Sequence, residues 1–191
     1  MPLNIPMGGG DGTAYIRFKP TENAWFMSGP DGPQEFEFTS TVLIDIENVQ
    51  LGWLHLGVGI REWEDWPDNK PTKKPDEGEF KAGAKLKLFS KMVCGDDDPV
   101  RELCTNQAGV IEFIKELYAD AESKFQKEEV PVVEITGSTP VKIGKGSTRI
   151  PQYTINKFVK RPKELVFTNG HDVESNDQQD SANGDDEKDE F

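Results

Sequence analysis

The chain has 191 residues and a mass of 21.4 kDa, which is enough for one domain with appendages. Its 35 Asp and Glu residues against 22 Lys and Arg residues give a formal net charge of −13, and only 35% of its residues are hydrophobic. No apolar run approaches the roughly 20 residues that span a bilayer, and residues 1–12 lack the basic start and apolar stretch of a secretory signal. With only two cysteines, Cys94 and Cys104, a disulfide scaffold is excluded and a cytoplasmic location is expected.

The negative charge is concentrated at the C-terminus. Residues 171–191 contain nine acidic residues and one lysine, whereas the other 170 residues contain 26 acidic and 21 basic residues. This C-terminal segment is rich in Ser, Asn, Gln and Gly, so it cannot bury enough apolar surface to offset the entropy lost on ordering. We therefore expect a flexible N-terminus over residues 1–12, a folded domain over residues 13–167 and a disordered acidic tail over residues 168–191.

The first part of the folded domain reads as strands. Residues 13–19 and 34–38 alternate between apolar and polar side chains, as half-buried strands do. Residues 41–60 are typical of one long strand whose apolar positions change from even to odd numbers, which predicts a bulge near Glu47–Asn48. Trp53 alternates with apolar neighbours on the second half of this strand, so we expect it in the core.

A polar loop and a basic strand follow. Residues 62–79 contain prolines and many charges and are predicted to form a long loop, in which Trp63 and Trp66 either stack on bases or form a satellite cluster. Residues 79–92 alternate, so that one face is expected to pack and the other to meet solvent or a ligand. That second face carries Lys81, Lys85, Lys87, Phe89 and Lys91.

The C-terminal part of the domain is predicted to hold the only good helix and two more strands. Apolar residues recur at spacings of three and four over residues 106–127, which is typical of an amphipathic helix. Residues 131–136 read as a buried strand and residues 148–160 as a last strand. Several strands, one helix and two strands match a five-stranded Greek-key barrel, the OB (oligonucleotide-binding) fold, with its helix between the third and fourth strands. Other β-rich α+β folds fit this order nearly as well.

Basic and aromatic residues are interleaved on two of the predicted strands. Residues 142–163 contain seven basic residues and no acidic one, and parity places Arg149, Tyr153 and Lys157 on one face. Cations neutralise phosphates, and rings stack on bases of any sequence at roughly 1–3 kcal/mol each, so such faces suit single-stranded nucleic acid. The alternative is a solvated face whose charges serve solubility. The predicted DNA-binding residues are Lys81, Lys85, Lys87, Phe89, Lys91, Lys142, Lys145, Arg149, Tyr153, Lys157, Lys160, Arg161, Trp63 and Trp66.

The acidic tail ends in an aromatic residue, Phe191. A tethered acidic peptide of this kind can bind a basic patch through its carboxylates and an apolar pocket through its terminal ring, and it can compete with DNA for the protein's own basic surface. The alternative is an appendage that only confers solubility. The predicted partner-binding residues are Asp185, Asp186, Glu187, Asp189, Glu190 and Phe191.

This layout resembles the single-stranded-DNA-binding proteins of bacteriophages and bacteria, especially the phage replication type. The resemblance rests on a β-rich body with basic–aromatic strands and on the acidic, Phe-terminated tail, whose acidic run is interrupted by Lys188. It implies sequence-independent binding of single-stranded DNA in replication, recombination or repair, and a tail that recruits replication proteins such as a polymerase, a helicase–primase or a nuclease. It also implies the cytoplasm of a host cell without a membrane partner, and it is compatible with a homodimer.

Two other functions are compatible with parts of the sequence. The net charge of −13 fits an acidic interaction module, such as an inhibitor that presents acidic surface in place of DNA. A metal nuclease would need ligands such as Asp96–Asp98 or Glu112 and Glu116, which read as a turn and as the polar side of the helix. No nucleophile–base pair, zinc-ligand spacing or phosphate loop is recognisable, so we expect a protein that is not an enzyme and holds no metal or cofactor.

Overall fold

The computed structural model describes residues 14–57, 60–125, 128–143 and 146–166 of the chain. Within these residues the protein is mainly β, with ten strands and two α-helices. The strands are β1 (Tyr15–Lys19), β2 (Ala24–Gly29), β3 (Gly32–Phe36), β4 (Val42–Ile44), β5 (Gln50–Gly57), β6 (Ile60–Asp65), β7 (Lys81–Phe89), β8 (Val100–Thr105), β9 (Glu129–Ile143) and β10 (Gly146–Lys160). The helices are α1 (Lys91–Cys94) and α2 (Ala108–Glu122), and 3-10 turns span Ile46–Asn48, Pro67–Asn69 and Lys163–Leu165.

The strands form one curled, open sheet with the shape of a half-barrel. Its order is β10-β9-β4-β7-β8-β1-β2-β3, and the hairpin β5–β6 joins it because β5 also pairs with β7. Among the described strands, β1 and β8 run parallel and all other pairs run antiparallel. The prediction of a mainly β chain with a barrel-like sheet is confirmed at this level of detail.

The core lies between the concave side of the sheet and helix α2. Ile16, Ile44, Leu86 and Leu103 reach it from four different strands and are almost completely buried. Helix α2 contributes the apolar stripe that its spacing predicts, Val110, Phe113, Ile114, Leu117 and Ala121. Burying one such large apolar side chain contributes roughly 1.5–3 kcal/mol, so the stripe holds α2 firmly against the sheet.

The long strand predicted over residues 41–60 is broken where its parity changes. The 3-10 turn Ile46–Asn48 separates β4 from β5, and both strands pair with β7, so they are two segments of one bent path. The Asn48 side-chain amide donates to both carboxylate oxygens of Asp45, at 3.1 and 3.0 Å, and this local contact closes the turn. The predicted irregularity is confirmed in position, but it is a turn rather than a bulge.

Two expectations for the middle of the chain are wrong. Residues 62–65, predicted as the start of the loop over residues 62–79, belong instead to strand β6, because they pair with β5 in a hairpin. Trp53 lies outside the main core, where its ring meets the ring of Trp66 edge-on at 5.1 Å. The cause is the turn Pro67–Asn69, which is held against β5 because the Asn69 side-chain oxygen accepts a hydrogen bond from the Leu51 amide at 2.7 Å. The face of β5 that carries Trp53 therefore packs under the loop after β6.

Neither α1 nor α2, the helices of the described residues, has the length and apolar character needed to cross a bilayer.

Candidate nucleic-acid interface

Strand register defines an outer face on the convex side of the sheet. On β7, Leu86 and Leu88 are buried in the core, whereas Lys85 and Lys87 alternate with them and point away from it. Lys87 is paired with Glu102 on β8, and paired side chains of neighbouring strands share a face. We use the name outer face for the odd-numbered positions of β7 and the residues in register with them.

One row of this outer face links the two predicted basic regions. Phe89 on β7 is paired with Leu43 on β4. Leu43 is paired in turn with Val132 on β9, and Val132 with Lys157 on β10. Phe89 and Lys157 therefore lie on one surface, three strand spacings or about 14 Å apart along the sheet. The structure thus brings together one member of each predicted basic strand.

Trp63 lies against the outer face because two glycines leave room for it. Gly52 on β5 is paired with Gly83 on β7, and a Cβ atom at Gly52 would come within 2.6 Å of the indole ring of Trp63. The Lys85 ammonium lies 4.7 Å from the centre of one indole ring, a distance at which cation and ring attract each other. Trp63 is partly exposed, and its indole N–H donates to the Asp65 carboxylate. An aromatic surface with an adjacent cation results.

Arg61 fastens the same hairpin to the sheet. It lies two residues before Trp63 on β6, and its guanidinium donates to the Glu102 carboxylate on β8, across β7. Burial disfavours the charge of Arg61, but Glu102 and the nearby Cys104 outweigh this effect, so the pKa of Arg61 is above its usual value. Burial also raises the pKa of the Cys104 thiol, and Arg61 only partly opposes it. The β5–β6 hairpin therefore covers part of the outer face and is held there by an ion pair.

The predicted shared face of Arg149, Tyr153 and Lys157 is wrong. The pairing of β9 with β10 shifts register between Ile155 and Lys157, so an extra residue turns Lys157 to the face opposite Tyr153. Tyr153 packs its ring edge-on against Phe113 of α2, at 5.4 Å, and its hydroxyl donates to Asp120 at 2.8 Å. Burial, followed by this acidic neighbour, raises the pKa of Tyr153. Its ring contributes to helix packing and is not open for stacking on a base.

Arg161 neutralises a buried carboxylate. Its guanidinium donates to Asp45 at 3.0 Å and to Glu47 at 2.8 Å. Asp45 is only 1% exposed, and burial raises its pKa although Asn48 and Arg161 lower it. Arg161 thus has a structural role in the fold, and its predicted DNA contact stays a prediction.

The other predicted residues of the C-terminal basic region are spread along the β9–β10 hairpin. The Arg149 guanidinium donates to the Ser138 hydroxyl at 2.7 Å, and the Lys160 ammonium lies 3.8 Å from Glu128. Lys142 is exposed on the distal part of β9. Lys145 lies outside the described residues.

Of the other residues predicted to bind DNA between β5 and α1, Lys81 lies on the outer face, whereas Lys91 and Trp66 do not. Lys81 is exposed on the outer face at the start of β7, as predicted. Lys91 begins helix α1, beyond the end of β7, and so leaves the strand face. Trp66 belongs to a satellite pair with Trp53, whereas Trp63 lies beside Lys85, and its stacking on bases stays a prediction.

The chain leaves β10 beside the outer face. The turn Lys163–Leu165 packs against β7, and Leu165 is 0% exposed although it is not part of the core on the concave side. Val166, the last residue described here, is exposed. The predicted partner-binding residues Asp185, Asp186, Glu187, Asp189, Glu190 and Phe191 lie outside the described residues.

Sequence reasoning missed Arg61 and the basic residues of β1. Arg61 alternates with Trp63 and Asp65, a period-2 signal hidden by the many acidic neighbours. On β1, Arg17 and Lys19 occupy alternate positions, which could have marked a third basic face.

In comparisons with protein-family models, with curated proteins and with solved structures, no match to this chain was found.

Proposed function

We propose that the protein binds single-stranded DNA without sequence preference, through the outer face of β7 and its neighbours. The observation that carries the proposal is the pair formed by Trp63 and Lys85, a partly exposed indole with an ammonium 4.7 Å from its ring. Bases of any sequence can stack on such a ring, and the cation neutralises an adjacent phosphate. Lys87 and Phe89 continue the same face along β7, and strand register places Lys157 on this face three strands away.

The connectivity supports an OB-like assignment. The path β4–β5 pairs with β7 and β9, β7 pairs with β8, and α2 lies between β8 and β9, which is the order of the first to fourth strands and helix of that fold. In OB folds the face of strands 2 and 3, flanked by the loops 1–2 and 4–5, binds the ligand. Here β7 and β8 correspond to that face and the hairpins β5–β6 and β9–β10 to those loops. The chain departs from the fold at β8, whose second edge pairs with β1.

The acidic tail is proposed to recruit proteins of replication, recombination or repair and to compete with DNA for the outer face. The contact of the last described turn, Lys163–Leu165, with β7 supports the competition, because a peptide tethered nearby acts at an effective concentration that reaches the millimolar range for short linkers. Truncation after Gly170 is expected to tighten binding of oligo-dT. The difference from the full chain should shrink as salt is raised, because both the tail and DNA bind through screened charges. Equal affinities at low salt would exclude competition.

A fluorescence titration with oligo-dT tests the binding itself. Trp63 is the one tryptophan of the outer face, since Trp25 is buried and Trp53 contacts Trp66. Oligo-dT should quench the fluorescence, and Trp63→Phe should remove most of the quenching and weaken binding. Trp66→Phe is the matched control and should behave like the parent chain.

The same titration distinguishes DNA binding from the alternative function, an acidic inhibitor of a nucleic-acid enzyme. An acidic inhibitor that replaces DNA is favoured by the net charge of −13 and would capture a nucleic-acid enzyme without binding oligonucleotides. No quenching and no binding at low salt, in the truncated chain as well, would favour it over the proposed function.

A further inference from the structure

The outer face extends beyond β8 onto strand β1. Tyr15 is paired with Glu102, which is paired with Lys87, so Tyr15 shares the face of the β7 lysines. The next residue, Ile16, is buried in the core, and Arg17 therefore points outward again. β1 lies two strand spacings from β7, or about 10 Å along the sheet.

A second cation–aromatic arrangement occupies this extension. Phe26 on β2 is paired with Arg17, and the residue is only 9% exposed. The Arg17 guanidinium carbon lies 5.8 Å from the ring centre and the Lys19 ammonium 4.2 Å. Both distances are within reach of a cation–π attraction. The arrangement repeats the contact of Lys85 with Trp63 on the same face.

Arg17 has unused hydrogen-bonding capacity. Within the described part of the chain it forms no ion pair, and its buried Nε has no hydrogen-bond partner. Lys19 differs, because its ammonium lies 2.9 Å from Glu22. The two terminal amino groups of a guanidinium present N–H donors in a planar fork, and a phosphate fits their geometry.

No unpaired carboxylate among the described residues lies on the outer face of β8, between Trp63 and Phe26. Glu102 lies there, on β8, and Arg61 neutralises it. The thiol of Cys104 occupies the neighbouring outer position and is uncharged, since burial raises its pKa. A polyanion can thus pass from β7 to β1 at a small electrostatic cost.

We propose that Arg17, supported by Phe26, binds a backbone phosphate of the same single strand whose bases stack at Trp63. The inference rests on the proposed function and adds a second contact to it. The ligand class is a polynucleotide long enough to reach both positions. The affinity of a shorter oligonucleotide that contacts only Trp63 and its neighbours does not depend on Arg17.

The test is an affinity series with oligo-dT of increasing length, measured for the parent chain, Arg17→Ala and Arg17→Lys. With long oligonucleotides Arg17→Ala should bind about tenfold more weakly at low salt, and its slope of log K against log salt should be smaller by about 0.7, one phosphate contact on a single strand. With the shortest oligonucleotides that bind, it should match the parent. Arg17→Lys should keep the parent salt slope and recover part of the affinity.

The control is Lys115→Ala on α2, which removes an exposed cation that is 3.3 Å from Glu112 and away from the outer face. It should bind like the parent at every length. If Arg17→Ala also matches the parent at every length, the inference is overturned while the proposed function stands. If the parent chain binds no oligo-dT, the proposed function itself fails. If the alanine variant is unstable, Arg17→Gln, which keeps part of the aliphatic stem and removes the charge, should show the same smaller salt slope, and a parent-like slope would overturn the inference.

Discussion

Replacing Gly52 by alanine places a methyl group where the β5–β6 hairpin folds against the sheet. A Cβ atom at this position would meet the Glu64 carbonyl oxygen and two ring carbons of Trp63, at 2.6 and 2.8 Å. Real Cβ atoms are not found so close to such neighbours, and one of them is backbone, which cannot rotate away. The hairpin must therefore move, and with it Trp63.

The expected cost follows from the overpacking. Inserting a methyl group into a well-packed site costs about 1–3 kcal/mol, and the backbone contact puts Gly52→Ala near the upper end. For a domain of this size, a loss of about 3 kcal/mol lowers the melting temperature by about 6–12 °C. Displacement of Trp63 from Lys85 should also weaken binding of oligo-dT by about tenfold, the value of one lost stacking contact.

Gly57→Ala in the same strand is the matched control. There a Cβ atom would lie 3.5 Å from Ile60, an ordinary contact, so stability and binding should change little. Thermal unfolding by circular dichroism and the oligo-dT titration measure both variants. A Gly52→Ala protein as stable as Gly57→Ala, with unchanged binding, would refute the placement of the hairpin on the outer face.

Two further changes test the contributions of Arg161 and Tyr153 to the stability of the fold. Arg161→Ala leaves the buried Asp45 carboxylate without its cation and should cost about 3–5 kcal/mol in denaturant unfolding at pH 7. This cost should shrink as the pH falls through the raised pKa of Asp45, because the protonated acid needs no cation; a cost independent of pH would contradict the role. Tyr153→Phe removes a hydrogen bond to Asp120 and should cost about 1 kcal/mol with unchanged oligo-dT affinity. The pKa of Tyr153 is raised in the folded state, so the native protein holds the phenol proton more tightly than the unfolded chain does. The resulting stabilisation is complete below about pH 10 and is lost progressively as the pH rises above that value. Tyr153→Phe should lack that alkaline loss, and a variant that loses affinity for oligo-dT instead would place the ring in the interface.

The periodicity of apolar residues predicted those strands and helices that pack one face against the core. Strand β7 alternates strictly because Leu86 and Leu88 face the core, and α2 shows its apolar stripe for the same reason. The parity change after Ile46 likewise marked a break in the long strand, since a side chain cannot change face without an irregularity.

Features that depend on distant parts of the chain could not be predicted in this way. The ion pair of Arg161 with Asp45 joins residues 116 positions apart, so no local sequence pattern predicts it. The register shift before Lys157 depends on how β9 pairs with β10, so simple parity wrongly placed Lys157 on the same face as Tyr153. Trp63 reached the outer face only because Gly52 and Gly83 become neighbours when β5 pairs with β7.

Photocrosslinking locates the bound strand most directly. Oligo-dT with a photoreactive thymine analogue is bound to the full chain, irradiated and mapped by mass spectrometry of the digested protein. Crosslinks are expected on β6 at Trp63 and on the outer positions of β7. Crosslinks confined to α2 or to the turn Pro67–Asn69, with none on β6 or β7, would contradict it.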